Sequence, residues 1–243
     1  METIDAEDTA KAEGHGPQRV LAALGSWRVW YFALIYFCIQ IAVYGFTFFL
    51  PTQVVGITGQ RLGFQASLVT AIPWVFALIA VAIFPRIADR TRKHRLIGST
   101  LLLVTAFGIF ISGALSDNPV LAIAGLCLAA MGFVSMQPIF WTLPTEYMTG
   151  YAAAAGIGLV NSLGNLGGFL APIQREYFDR TLGGDAGTYS LAVGAVLGAL
   201  LFAITAFFKK ANEVEAGHLD EVDAHYVPHD VAEAARGPHP AHR

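Results

Sequence analysis

Six apolar stretches of this 243-residue chain contain no Asp, Glu, Lys, Arg or His. All 33 acidic and basic side chains, 18 and 15, lie outside them. Only 14% of residues are charged, against about 25% in a soluble domain. Cysteine is scarce: Cys38 and Cys127 both fall in apolar stretches, with no CxxC and no Cys/His metal spacing. A disulfide framework and a compact metal site are therefore not expected. The seven histidines (15, 94, 218, 225, 229, 239 and 242) sit in loops and tails. No Walker phosphate loop, HExxH, GxSxG in a span or paired intramembrane Asp occurs, which argues against nucleotide-driven transport and against an intramembrane enzyme. No basic surface interleaved with aromatics points to nucleic acid. The first residues, METIDAEDTAKAEGHG, are acidic and lack a signal-peptide layout, so the first apolar span is expected to insert uncleaved.

What is abundant is apolar length. The chain is 55% hydrophobic, with mean hydropathy +0.54 despite polar ends. The six stretches are Val29–Leu50, Ser67–Pro85, Leu96–Leu115, Pro119–Leu143, Ala152–Ile173 and Thr188–Phe208. Each matches the ~20 residues that cross a ~30 Å hydrocarbon core. With no water to satisfy backbone groups, they should be helices. The expected fold is all-α integral membrane, with a polar segment over 1–26, a bundle of six transmembrane helices over 27–210 and a disordered tail over 211–243. With both termini placed in the cytoplasm, twelve Lys and Arg lie inside and three (Arg61, Arg175, Arg180) outside. That bias sets the expected orientation of a multi-pass plasma-membrane protein. Phe49–Gln53 (FLPTQ) and Thr142–Glu146 (TLPTE) end the first and fourth spans, 93 residues apart. Those spans run in opposite directions, as a three-plus-three inverted repeat requires.

The run PIFWTLPTEYMTGYAAAAGIGLVNSLGNLGGFLAP, 138–172, organises the chain. Ala154, Gly158, Asn161, Asn165 and Gly168 are spaced 4, 3, 4, 3 and at about 100° per residue share one stripe. Asparagine inside a span is costly without a partner or water. Two readings stay open: a helix lining a polar cavity, or a tight seam with the amides as interhelical glue. On the first span, Tyr36, Gln40, Tyr44 and Thr47 fall within about 80° of one another. Gln40 and Tyr44 join Asn161 and Asn165 as candidate substrate contacts, since an amide can both donate and accept. The pairs Gly164/Gly168 and Gly194/Gly198 fit close helix packing, and Pro73 and Pro138 can kink helices.

The loop PRIADRTRKHR, 85–95, holds five Lys or Arg and one acid. It is either a gate, with Asp89 pairing cations on neighbouring helix ends, or a plain topology anchor. Its Asp89, Arg90 and Lys93 resemble the loop signature Gly-x-x-x-Asp-Arg-x-x-basic-basic of the major facilitator superfamily, with Pro85 where the glycine belongs. The stretches FWTLPTEYMTG and NSLGNLGGFLAP, with GFTFFLP and AIPW, resemble that superfamily's anion:cation symporter branch over about residues 19–208.

The resemblance implies half of a twelve-helix fold, the C-terminal half, with 1–26 as the linker between halves. It implies that Trp141 and Asn161 contact a small organic anion such as a sugar acid, tartrate or an aromatic carboxylate. Asp89, Arg90 and Lys93 would form the gating loop. The implied partners are that anion, a co-transported proton or sodium ion, the lipid bilayer, and a missing N-terminal half or second six-helix chain. The expected function is secondary active transport by alternating access, without a cofactor. The alternative is a truncated, non-transporting membrane remnant or scaffold.

Overall fold

The structure is a computed structural model describing residues 25–59, 61, 63–147 and 151–207, with the backbone alone at 151–153 and 207. The expectations for residues 1–24 and 211–243, and the Met148–Gly150 end of the FWTLPTEYMTG motif, lie outside the described residues. Six α-helices follow in order: α1 Trp27–Thr58, α2 Phe64–Thr91, α3 His94–Ala114, α4 Pro119–Tyr147, α5 Tyr151–Leu182 and α6 Ala186–Ile204. A 3-10 turn, Thr205–Phe207, closes α6. No strand occurs among the described residues. All six helices are long and apolar enough to cross a membrane, and the protein is an all-α, multi-pass membrane protein.

The breaks between helices follow from local chemistry. Gly59 ends α1 in the left-handed conformation, φ 65°, as a glycine after a helix commonly does. Gly183 and Gly184, φ 72° and 61°, turn the chain between α5 and α6. Arg92, at the end of α2, adopts φ 56° with a side chain, which costs about 1–2 kcal/mol.

Pairing of the helices reveals an internal symmetry. α1 packs on α5 and α6; α4 packs on α2 and α3; α3 packs on α6. Exchanging α1–α3 with α4–α6 maps each of these pairs onto another of them or onto itself. The FLPTQ and TLPTE stretches occupy matching places toward the ends of α1 and α4, with Pro51 and Pro144 inside their helices. The core lies between α1, α4 and α6, around Phe46, Leu50, Leu126, Phe133 and Leu191. α2 turns Leu68, Val75, Leu78, Ile79 and Ile83 outward, an apolar face suited to hydrocarbon.

Candidate functional site: an amide-crossed seam between α1 and α5

Glycine brings α5 against α1. A Cβ on Gly164 would strike the Tyr36 ring, one on Gly167 the Phe37 carbonyl, and one on Gly168 the Tyr44 ring. A side chain at any of the three would force the helices apart. At this short separation amides span the seam. Gln40 of α1 is 4% exposed. Its Nε2 donates to Asn165 Oδ1 at 2.7 Å, and its Oε1 accepts from Gln137 Nε2 of α4 at 3.1 Å. Asn165 Nδ2 donates one turn back, to the Asn161 carbonyl at 2.8 Å and to Asn161 Oδ1 at 3.1 Å. Three helices are thus tied together by side-chain amides within the apolar length of the bundle.

The seam is open along one side. Asn161 is exposed and Asn165 is half-buried. Asn165 and Tyr44 line a groove of about 390 Å³ with Phe48, Gly168, Phe169 and Pro172. An amide facing hydrocarbon without a partner costs about 4–8 kcal/mol. An interhelical hydrogen bond in a membrane returns only about 0.6–2 kcal/mol. Seam bonding covers the Asn161 oxygen and leaves the rest of its side chain exposed.

The predicted site residues divide into three groups. Gln40, Asn165 and Asn161 are joined by hydrogen bonds, and Tyr44 stands beside them at the groove. Trp141 is linked indirectly. Its ring meets Tyr36 edge-on at 5.0 Å, and Tyr36 stacks on Phe140 at 4.9 Å. The Asp89–Arg90–Lys93 group lies apart, at the α2–α3 turn. There Asp89 Oδ1 is bonded to His94 Nε2 at 2.9 Å, and its side chain is 68% exposed. Arg90 and Lys93 are exposed and have no ion-pair partner among the described residues. Nearby, the Arg95 guanidinium donates to the Tyr147 hydroxyl and joins the start of α3 to the end of α4.

Two expectations take a more specific form. The stripe from Ala154 to Gly168 packs only over its later part: Gly158 has open space where a Cβ would stand, and Ala154 is exposed. Thr47, on the polar face of α1, turns its hydroxyl back to the Val43 carbonyl at 2.7 Å. The residue missed from sequence is Gln137. Its signal was an amide inside the fourth apolar stretch, four residues before Trp141 and so on the same helix face.

The family model of the Major Facilitator Superfamily matches residues 4–172. The Inner membrane transport protein RhmT of Escherichia coli (strain K12) is 46% identical over 201 residues, covering 82% of this chain and 46% of that protein. A Quinolone resistance transporter of Acinetobacter baumannii is 36% identical over 185 residues, 74% of this chain and 42% of the relative. A Putative tartrate transporter of Agrobacterium vitis is 33% identical over 202 residues, 81% and 44% respectively. The chain spans about half the length of the curated relatives it matches.

Proposed function

The chain belongs to the major facilitator superfamily, and from that premise we propose that it forms one six-helix half of a secondary transporter for small organic anions. The observation that carries the reading is exposed Asn161 on α5, tied through half-buried Asn165 to buried Gln40, with Asn165 lining the groove beside Tyr44. Uncharged amides at this depth suit carboxylate and hydroxyl oxygens. They escape the cost of facing lipid if a companion bundle encloses an aqueous crevice against α5. Trp141 supplies an aromatic wall beside Tyr36. The relative whose name carries tartrate lends support to an anionic substrate.

The mechanism we infer is alternating access. This bundle rocks against a companion half around a site near the midplane, with Asp89, Arg90 and Lys93 as groups that change partners at the cytoplasmic ends. Both termini are assigned to the cytoplasm on the twelve-to-three bias of basic residues. The six apolar stretches contain no Asp, Glu, His, Lys or Arg, and a proton relay normally needs such a group. The companion half therefore supplies the site for the coupling proton or sodium ion.

The test is uptake of labelled tartrate into vesicles bearing this chain, alone and with a first half supplied. Asn161→Ala should abolish uptake at unchanged membrane levels. Full uptake by that variant would overturn the assignment. Absence of uptake in both arms would favour a non-transporting scaffold.

A further inference from the structure

We propose that Gln137, Gln40, Asn165 and Asn161 form a one-way hydrogen-bond relay that turns the Asn161 side-chain NH2 outward as a free donor, with Gln137 as its positioning residue. This deepens, and rests on, the reading of the α1–α5 groove as the path of an organic anion.

The direction follows from one anchor. An amide side chain has a donor end and an acceptor end, and its partners decide which faces where. A backbone carbonyl can only accept. Asn165 meets the Asn161 carbonyl at 2.8 Å, so that end of Asn165 must be its NH2. Its Oδ1 then faces Gln40, and Gln40 must donate there, at 2.7 Å. The Gln40 oxygen is thereby turned to α4, where Gln137 must donate, at 3.1 Å. At the other end, Asn161 Oδ1 receives Asn165 Nδ2 at 3.1 Å. The Asn161 NH2 is left, exposed and with no partner among the described residues.

Every link points the same way, from α4 through α1 to α5. Aligned hydrogen bonds polarise one another, so the last N–H is a better donor than an isolated amide. A donor end recognises acceptors: a carboxylate oxygen fits, and an ammonium or guanidinium is rejected. Gln137 acts at a distance. It occupies the Gln40 oxygen, and Gln40 then has only its nitrogen to offer Asn165. Without Gln137, the Gln40 oxygen is orphaned at 4% exposure and the amide is free to swing.

The test is side-chain NH2 exchange by NMR on the full chain in lipid nanodiscs, selectively labelled with 15N at glutamine and asparagine. Asparagine occurs only at 118, 161, 165 and 212, so assignment is tractable. The expected result is slow exchange at Gln137, Gln40 and Asn165 and fast exchange at Asn161. Fast exchange at Asn165 with protection at Asn161 would overturn the direction. Gln137→Leu should abolish protection at Gln40; unchanged protection would overturn the positioning role.

Gln137→Glu separates positioning from packing. The introduced carboxyl donates its proton to Gln40 when protonated and cannot when ionised. Protection at Gln40 should therefore be present at low pH and lost as pH rises through that titration. Loss at every pH would overturn the account. Tartrate should shift the Asn161 NH2 resonance, and a neutral four-carbon polyol should not. If neither shifts it while the exchange pattern holds, the anion reading fails and the relay stands.

Discussion

Two seams in this bundle are built from small residues, and they serve different ends. Between α3 and α4, backbone meets backbone. A Cβ on Gly125 would lie 2.7 Å from the Gly108 oxygen and 2.8 Å from the Ser112 nitrogen, and one on Gly132 would lie 2.5 Å from the Leu101 carbonyl. The polar groups there are buried hydroxyls bonded mainly within their own helix: Thr105 donates to Leu101 at 2.9 Å and more weakly to Ala129 of α4 at 3.5 Å, and Ser112 donates to Ile109 at 2.8 Å while accepting from Gln53 of α1 at 3.1 Å. Between α1 and α5, Gly164 and Gly168 meet aromatic rings and Gly167 meets the Phe37 carbonyl, and the polar groups are amides bonded from helix to helix, with the Asn161 side chain left exposed. A stripe of glycine thus announces only proximity. The exposed amide on α5 is what sets the α1–α5 seam apart, and on it rests the proposal that this seam meets substrate.

Breaking the closed seam should have the largest effect. Gly125→Val drives methyl groups into the α3 backbone, which cannot swing aside. The expected loss is about 3 kcal/mol or more, seen as loss of the monodisperse species in detergent chromatography. A folded, monodisperse variant would show that the two seams do not differ in rigidity.

Gln40→Leu strikes the open seam. It orphans Asn165 Oδ1 and the Gln137 NH2, each at about 1–3 kcal/mol. The bundle should stay folded with a lowered thermal midpoint, while tartrate uptake by the reconstituted transporter is lost. Retained uptake would separate the amides from transport.

Those two outcomes also show what the residues disclosed in advance. Hydropathy located all six helices, because an uncharged run of that length has no other place in a bilayer. It undershot most of the ends, though α6 stops at Ile204, before the expected Phe208. The fifth span was expected to stop at Ile173, but α5 runs to Leu182. Beyond the apolar stretch the helix carries two pairs at i,i+4, Arg175–Asp179 at 3.7 Å and Glu176–Arg180 at 2.6 Å, which hydropathy does not weigh. Asp179 also accepts the Gly187 amide at 2.7 Å, binding α5 to the start of α6. Helical periodicity put Asn161, Asn165 and Gly168 on one stripe, but it describes a single helix. Which helix lies opposite is a tertiary fact. For that reason Gly167, whose neighbour is the Phe37 carbonyl, and Gln137, whose neighbour is Gln40, were not singled out.

Smaller effects sharpen the contrast. Thr105→Val removes a buried hydroxyl bonded to Leu101 of its own helix and, at 3.5 Å, to Ala129 of α4, and should cost about 0.6 kcal/mol with uptake unchanged. A large loss of uptake would mean the closed seam also takes part in transport. Asp89→Asn breaks an exposed pair with His94 and should change thermal stability by less than about 1 kcal/mol. A larger drop would indicate that the α2–α3 turn is a structural clasp.

The most direct measurement is cysteine accessibility in native membranes, on a background with Cys38 and Cys127 replaced by alanine. If the α5 amides border water, Asn161→Cys reacts with a charged, membrane-impermeant methanethiosulfonate reagent, tartrate slows that reaction, and Thr105→Cys in the closed seam stays silent. If the cysteine at position 161 reacts only with a lipid-soluble maleimide, or with neither reagent, the amides face hydrocarbon or packed protein and the account is contradicted.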